Sequence, residues 1–206
     1  MLIMKSLSMY CTIGMLAFAC FSCNNSNSSD SAQAAKDSNA TKMDSSRTDS
    51  TGKAAIPSTV STADQNFAVN TAIAGMTEIQ AGQIAEQKGM EQDVKDYGAM
   101  MVKDHTAAAD KLKAIAAQKN ITLPSTLSPD AQKNIDALQG VSGKKFDKDY
   151  LTMMVSDHKK VISAFEDESK NGSDADIRAF ADSTLHTLHL HLDKAEKCEK
   201  MMKSGM

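Results

Sequence analysis

From about residue 62 onward, apolar side chains return every three or four positions, the spacing of one buried face of an α-helix. The pattern breaks at turn residues and so divides the chain. A first long helix is predicted over 63–88, opened by Thr62 or Asp64 as cap and closed near Gly89. A second runs over about 91–119 and stops before Ile121-Thr122-Leu123-Pro124. Ser128-Pro129-Asp130 starts a short helix that reaches about Leu138 and ends at Gly140. A third long helix covers about 144–170, with Asn171-Gly172 as its stop, and a fourth opens at Ser173-Asp174 and continues to about Met202. No alternating strand pattern occurs. The fold class that follows is all-α: a four-helix bundle over 63–206, with a short extra helix in the crossover.

The first 62 residues read differently. Residues 1–22 combine a basic start at Lys5 with an apolar run from Met9 to Phe21, an export signal too short and too polar to span a bilayer. Ala17-Phe18-Ala19 before Cys20 fits cleavage after small residues. Phe21-Ser22-Cys23 fits a bacterial lipoprotein signal, in which the cysteine is acylated. Cys23 is the favoured anchor, Cys20 the second choice, and plain secretion after Ala19 the alternative. Residues 23–62 are rich in Ser, Asn, Asp, Thr, Ala and Lys, with few large apolar side chains to offset ordering entropy. The expectation is a disordered tether reaching about 30–40 Å, with the domain held at a membrane in the cell envelope.

Composition narrows the core. The chain is 41% hydrophobic with 4% aromatic residues, no Trp and 14 Met, which suits packed helices. Without the leader, which holds Lys5 alone among charged residues, 22 basic groups face 26 acidic ones. That balance gives no footprint for nucleic acid. Cys198 is alone in the body, so no disulfide framework is available.

The candidate chemistry lies in a repeated motif. Tyr97-Gly-Ala-Met-Met-Val-Lys-Asp-His105 and Tyr150-Leu-Thr-Met-Met-Val-Ser-Asp-His158 match at an offset of 53 residues. At 100° per residue, His105, His158 and His191 each fall on the apolar stripe of a different helix. Counting from the turns near Gly89 and Gly172 puts Glu78, His105, His158 and His191 at similar depth, near mid-bundle. The crossover is long enough for the second and third long helices to run parallel. Spacing alone leaves Glu78 facing either the interior or solvent, because the bulky stripe of its helix lies opposite.

Inward carboxylates and imidazoles on facing helices are how bundles build metal sites, and one Glu with three His suits zinc, copper or iron(II). Asp104 and Asp157, one position off the histidine stripes, either orient a histidine or are solvated acids. Met101, Met154, Met202 and Cys198 are soft donors nearby, though Met at this spacing is ordinarily core filler. His186 and His189 lie off the stripe. Three readings remain open: a metal-binding protein of metal handling or envelope stress, a structural module with a hydrogen-bonded histidine layer, and a metal-dependent oxidase. The absent Glu-x-x-His signature counts against the last, and no catalytic residue is assigned.

Phe67 with Thr77-Glu78-Ile79, Met101-Val102-Lys103-Asp104-His105, Leu123-Pro124, Phe146-Asp147 with Tyr150, Val155-Ser156-Asp157-His158, and Leu188 with His191-Leu192 form a specific set. Together they resemble the bacterial family called domain of unknown function 4142, often labelled outer-membrane protein and grouped with ferritin-like bundles. The resemblance covers about residues 62–200. It implies a ferritin-like fold and an envelope address, and it marks Glu78, His105, His158 and His191. It implies no activity. Where the family often has proline, this chain has His186.

Overall fold

The computed structural model describes residues 30–45 and 60–204. The export signal and the acylated cysteine (Cys23 or Cys20) expected in residues 1–23 lie outside them. The described residues form six helices and no strand: α1 (Ser31–Ser45), α2 (Thr62–Lys88), α3 (Gln92–Gln118), α4 (Pro129–Gln139), α5 (Gly143–Asn171) and α6 (Ala175–Ser204). The long four match the predicted helices within a residue or two. The cap of α2 is Ser61, one residue before Thr62, and its side chain accepts from the Asp64 N–H. Ser128 does the same for α4, with Pro129 in the first turn where no backbone N–H is needed.

The long helices form two hairpins, α2–α3 and α5–α6, with α2 also against α5 and α3 against α6. Two buried carboxylates clasp the hairpins together. Asp147, near the start of α5, accepts from the Met90 and Glu91 N–H groups at 2.9 Å each, in the α2–α3 turn. Asp64, near the start of α2, accepts from the Ser173 and Asp174 N–H groups at 3.1 and 2.8 Å, in the α5–α6 turn. The starts of α3 and α5 therefore share one end of the bundle and the starts of α2 and α6 the other. So α3 runs parallel to α5, and α4 crosses over against α2 and α5. Asp64 and Asp147, and likewise Gly89 and Gly172, are 83 residues apart, which relates the hairpins by a pseudo-twofold.

Gly82 and Gly98 let α2 and α3 cross closely. A Cβ on either would stand 2.7–2.8 Å from the other's carbonyl oxygen, closer than packed atoms allow. This contact draws α3, which carries His105 two turns after Gly98, against α2, which carries Glu78 one turn before Gly82.

Residues 31–45 correct the tether expectation, because they form α1. Ala32 and Ala35 bury themselves on Val69 and Ile73 of α2. The Asn39 amide donates to the Thr122 carbonyl at 3.0 Å and accepts from its N–H at 2.7 Å. Lys42 donates to the Asn120 carbonyl and the Thr122 hydroxyl. Alanine-sized packing and side-chain-to-backbone bonds replace the large apolar residues whose absence suggested disorder.

With α1 and α4 on its outer side, α2 is covered nearly all round. Its bulky outer residues Ile73, Met76 and Ile84 pack against the cluster that α4 enters through Ala131, Ile135 and Leu138. That is why its apolar pattern showed no single inner face. Along the bundle, one apolar cluster holds Tyr97, Met101, Tyr150, Met154 and Cys198, and a second holds Leu112, Ile162, Phe165, Phe180 and Leu188. Between them lies a polar layer. No helix among the described residues is long and apolar enough to cross a membrane.

Candidate metal centre

The layer consists of Glu78 from α2, His105 from α3, His158 from α5 and His191 from α6, all at most 7% exposed. Each sits one turn beyond an apolar residue of its own helix, so the periodicity that packs the core also delivers them to one level. One ring nitrogen from each histidine lies within 4.8 Å of the others. Ring centroids are 5.1–5.7 Å apart.

Hydrogen bonds fix which nitrogens are free. His158 Nδ1–H donates to the Met154 carbonyl at 2.9 Å; a carbonyl only accepts, so the proton is on Nδ1 and Nε2 is bare. His191 Nε2–H donates to the Asp104 carboxylate at 3.1 Å, which leaves Nδ1 bare. These two bare nitrogens face each other at 3.3 Å. His105 Nδ1 is 3.1 Å from Glu78 Oε2, and its Nε2 is buried with no protein partner.

The layer is electrically spare. Burial, then the neighbouring imidazoles, hold the His105 imidazole well below its ordinary pKa, and burial foremost brings His158 down to about 4. Burial lowers His191 too, against the opposing pull of Asp104. The histidines are therefore neutral at pH 7. Burial, helped by the Asp157 charge, raises Glu78 to about 8, so without a cation it keeps its proton.

Glu78 faces inward, but its carboxylate stands against the Nδ1 edges of His105 and His158, at 3.1 and 3.6 Å. It backs His105 on the side away from that ring's Nε2, while His158 Nδ1 is already bonded to Met154 and stands too far from Glu78 for a hydrogen bond. Asp157 orients no histidine: its carboxylate pairs with Lys160 at 3.2 Å and reaches Glu78 through its charge alone. Asp104 does hold His191, across helices. Cys198 and the buried Met101 and Met154 belong to the apolar cluster beside the layer, and Met202 packs against it. His186 and His189 are exposed.

Residue spacing missed three features. The Met154 backbone carbonyl sets a tautomer; the i−4 relation to His158 was the available signal. The Tyr97 and Tyr150 rings meet edge to face at 5.9 Å and bury both hydroxyls without a partner; their Tyr-x7-His spacing in both motif copies pointed to a shared layer. The sequence offers Asp64 as a cap of its own helix and Asp147 only as part of a motif, and neither reading points to the opposite turn that each one bonds.

Comparison with known proteins supports the fold. A crystal structure of a DUF305 fragment from Deinococcus radiodurans is similar with a TM-score of 0.61, at 8% identity, covering 68% of this chain and 97% of that one. At that identity the likeness concerns the fold alone. No curated protein matches in sequence. The model of the family described as Domain of unknown function (DUF4142) matches residues 49–198, a stretch that contains all four residues of the layer, and the chain belongs to that family.

Proposed function

We propose that this chain is an exported, lipid-anchored bundle of ferritin-like architecture that binds one transition-metal ion on His105, His158 and His191. The observation that carries the reading is the pair of bare nitrogens 3.3 Å apart in the buried layer. Two lone pairs held face to face repel, and a cation between them removes the repulsion. Low imidazole basicity disfavours a proton as that cation. In a tetrahedral site with nitrogens at 2.0–2.1 Å from the metal, ligand atoms stand about 3.3 Å apart.

His158 and His191 are backed by acceptors on the opposite ring edge, the Met154 carbonyl and Asp104, and Glu78 stands behind His105, where a bound cation would make its carboxylate an acceptor. This is the usual support of metal-binding imidazoles. Three neutral imidazoles suit zinc, copper or iron(II) and leave a further coordination position open. With the donors buried in a bundle interior, the role is metal handling or envelope stress defence. Localisation rests on the apolar leader and Cys23. Cys23 stands eight residues before Ser31, so the chain from anchor to α1 spans at most about 28 Å.

Equilibrium dialysis with metal analysis on the full chain tests the reading. Near-stoichiometric retention of zinc, copper or iron, lost in the His105→Ala/His158→Ala double variant, is the expected result. No retention, or retention unchanged in the double variant, overturns it.

The rival is a metal-free polar layer that fixes helix register, favoured by the bonds to Met154 and Asp104. It leaves the facing lone pairs and the unpartnered His105 Nε2 unexplained. It requires a melting temperature indifferent to chelator, whereas metal binding requires a fall.

A further inference from the structure

Helix α6 carries ligand-type side chains on two opposite faces. His191 points into the bundle and is 1% exposed. Asp182, His186, His189 and Asp193 are all exposed. Their spacing of four, three and four residues keeps them within about 60° of one another around the helix, roughly opposite His191. The helix runs unbroken from Ala175 to Ser204, so the stripe is continuous. Residues three and four apart on a helix are surface neighbours, with Cβ atoms about 5–6 Å apart.

None of the four is engaged: among the described residues, no hydrogen bond or ion pair reaches any of them. The nearby cations are turned elsewhere or stand off. Arg178, one turn before Asp182, donates to the Gly172 carbonyl at 3.0 Å. Lys194 turns to Asp93 of α3, at 4.0 Å. Lys197, one turn after Asp193, stands outside ion-pair distance of it.

Two ligands three residues apart on one helix can grip a single ion, as the Glu-x-x-His pairs of bundle metal sites do. His186 and His189 have that spacing, with a carboxylate one turn beyond each. Two imidazoles with carboxylates and open water make a nitrogen and oxygen donor set. Such a set suits copper(II) in tetragonal geometry, and copper(II) binds it most tightly among the first-row divalent ions. Among the described residues only the interior trio holds three ligand atoms within 4.8 Å of one another. The outer stripe is therefore not preformed, and its exposed side chains gather on the ion.

We propose that the outer face of α6 is a second metal site, which takes one copper(II) ion on His186 and His189. Asp182 and Asp193 draw the ion in and hold its bound waters. The ion is held loosely and leaves in dialysis, whereas the interior trio retains its own. Nothing in the outer site depends on the interior one.

Copper(II) itself is the probe, added to the chelator-stripped full chain and followed by electron paramagnetic resonance with glycine as competitor. The parent chain should bind one equivalent more than the His186→Gln/His189→Gln variant. The same difference should appear in the His105→Ala/His158→Ala background. That equivalent should give a tetragonal signal coupled to two nitrogens. Either single replacement, His186→Gln or His189→Gln, should weaken it at least tenfold, since a chelate fails when one ligand goes. Asp182→Asn with Asp193→Asn should weaken it about threefold, as loss of nearby charge in water does. These side chains are exposed, so the variants should melt as the parent does. No difference between parent and His186→Gln/His189→Gln in either background means an adventitious ion only and overturns the proposal, as does a single replacement without effect. The extra equivalent without interior retention strikes the interior reading alone; interior retention without the extra equivalent strikes the outer site alone.

Discussion

Asp104 and Asp157 occupy the same place in two copies of one motif, yet they meet different partners. Asp104 accepts a hydrogen bond from His191 on the neighbouring helix, and Asp157 turns to Lys160. Asp64 and Asp147 lie in segments with no comparable likeness, yet each clasps the turn of the opposite hairpin through two backbone N–H groups. The first pair follows the 53-residue repeat, which links the diagonal helices α3 and α5. The second follows the 83-residue offset, which links hairpin to hairpin. Likeness of sequence here marks a shared level in the core; likeness of role marks the symmetry of the fold.

The largest effects should fall on the clasping pair. Replacing Asp147 by Ala removes two hydrogen bonds that tie the hairpins together, and bonds to a charged acceptor contribute about 1.5–3 kcal/mol each. A loss of roughly 3 kcal/mol is expected for Asp147→Ala and for Asp64→Ala, read from denaturant midpoints. If only one of them costs stability, the two hairpins are not held alike.

The motif pair should split under mutation. Asp104→Asn should weaken metal affinity about 10–100-fold, as loss of such backing carboxylates does. Asp157→Asn should change it by less than about threefold, because it makes no bond to a histidine. Competition against a chelator of known affinity measures both. Equal effects would mean that the repeat does carry the symmetry of the site.

How much of this was legible depends on what each residue's neighbours were. The long helices were readable because caps, glycines and apolar spacing agree locally. His105, His158 and His191 were readable as one level because each lies on a clear stripe at a countable distance from a turn. Glu78 was not, since α1 and α4 cover the outer side of α2 and blur its pattern. Helix α1 was hidden for a related reason: its docking uses Ala32, Ala35 and Asn39, and Asn39 recognises a backbone that only the folded crossover presents. Ring tautomers depend on distances that no periodicity encodes.

The smallest effect belongs to Glu168, beside Asp64. Burial, then the Asp64 charge, raises its carboxyl from 4.5 to about 7. Burial also pushes Asp64 upward, but its bonds from Ser173 and Asp174 outweigh that and hold it low. The folded chain therefore keeps a proton on Glu168 that the unfolded chain releases between pH 4.5 and 7. Stability from this group is complete below pH 4.5 and is lost as pH rises through 7. Glu168→Gln should accordingly gain on the parent as pH rises, by on the order of 1 kcal/mol at pH 8. A thermal melt series in pH on the parent and on Glu168→Gln reads this difference.

The central claim is that three imidazoles, two of them freed on one edge by their hydrogen bonds, share one ion. X-ray absorption on the zinc-loaded full chain reads that shell directly. The account predicts about three imidazole nitrogens at 2.0–2.1 Å with one further light atom, and loss of the imidazole signal in the His105→Ala/His158→Ala double variant. A sulfur neighbour near 2.3 Å, or an oxygen shell unchanged by that variant, would contradict it.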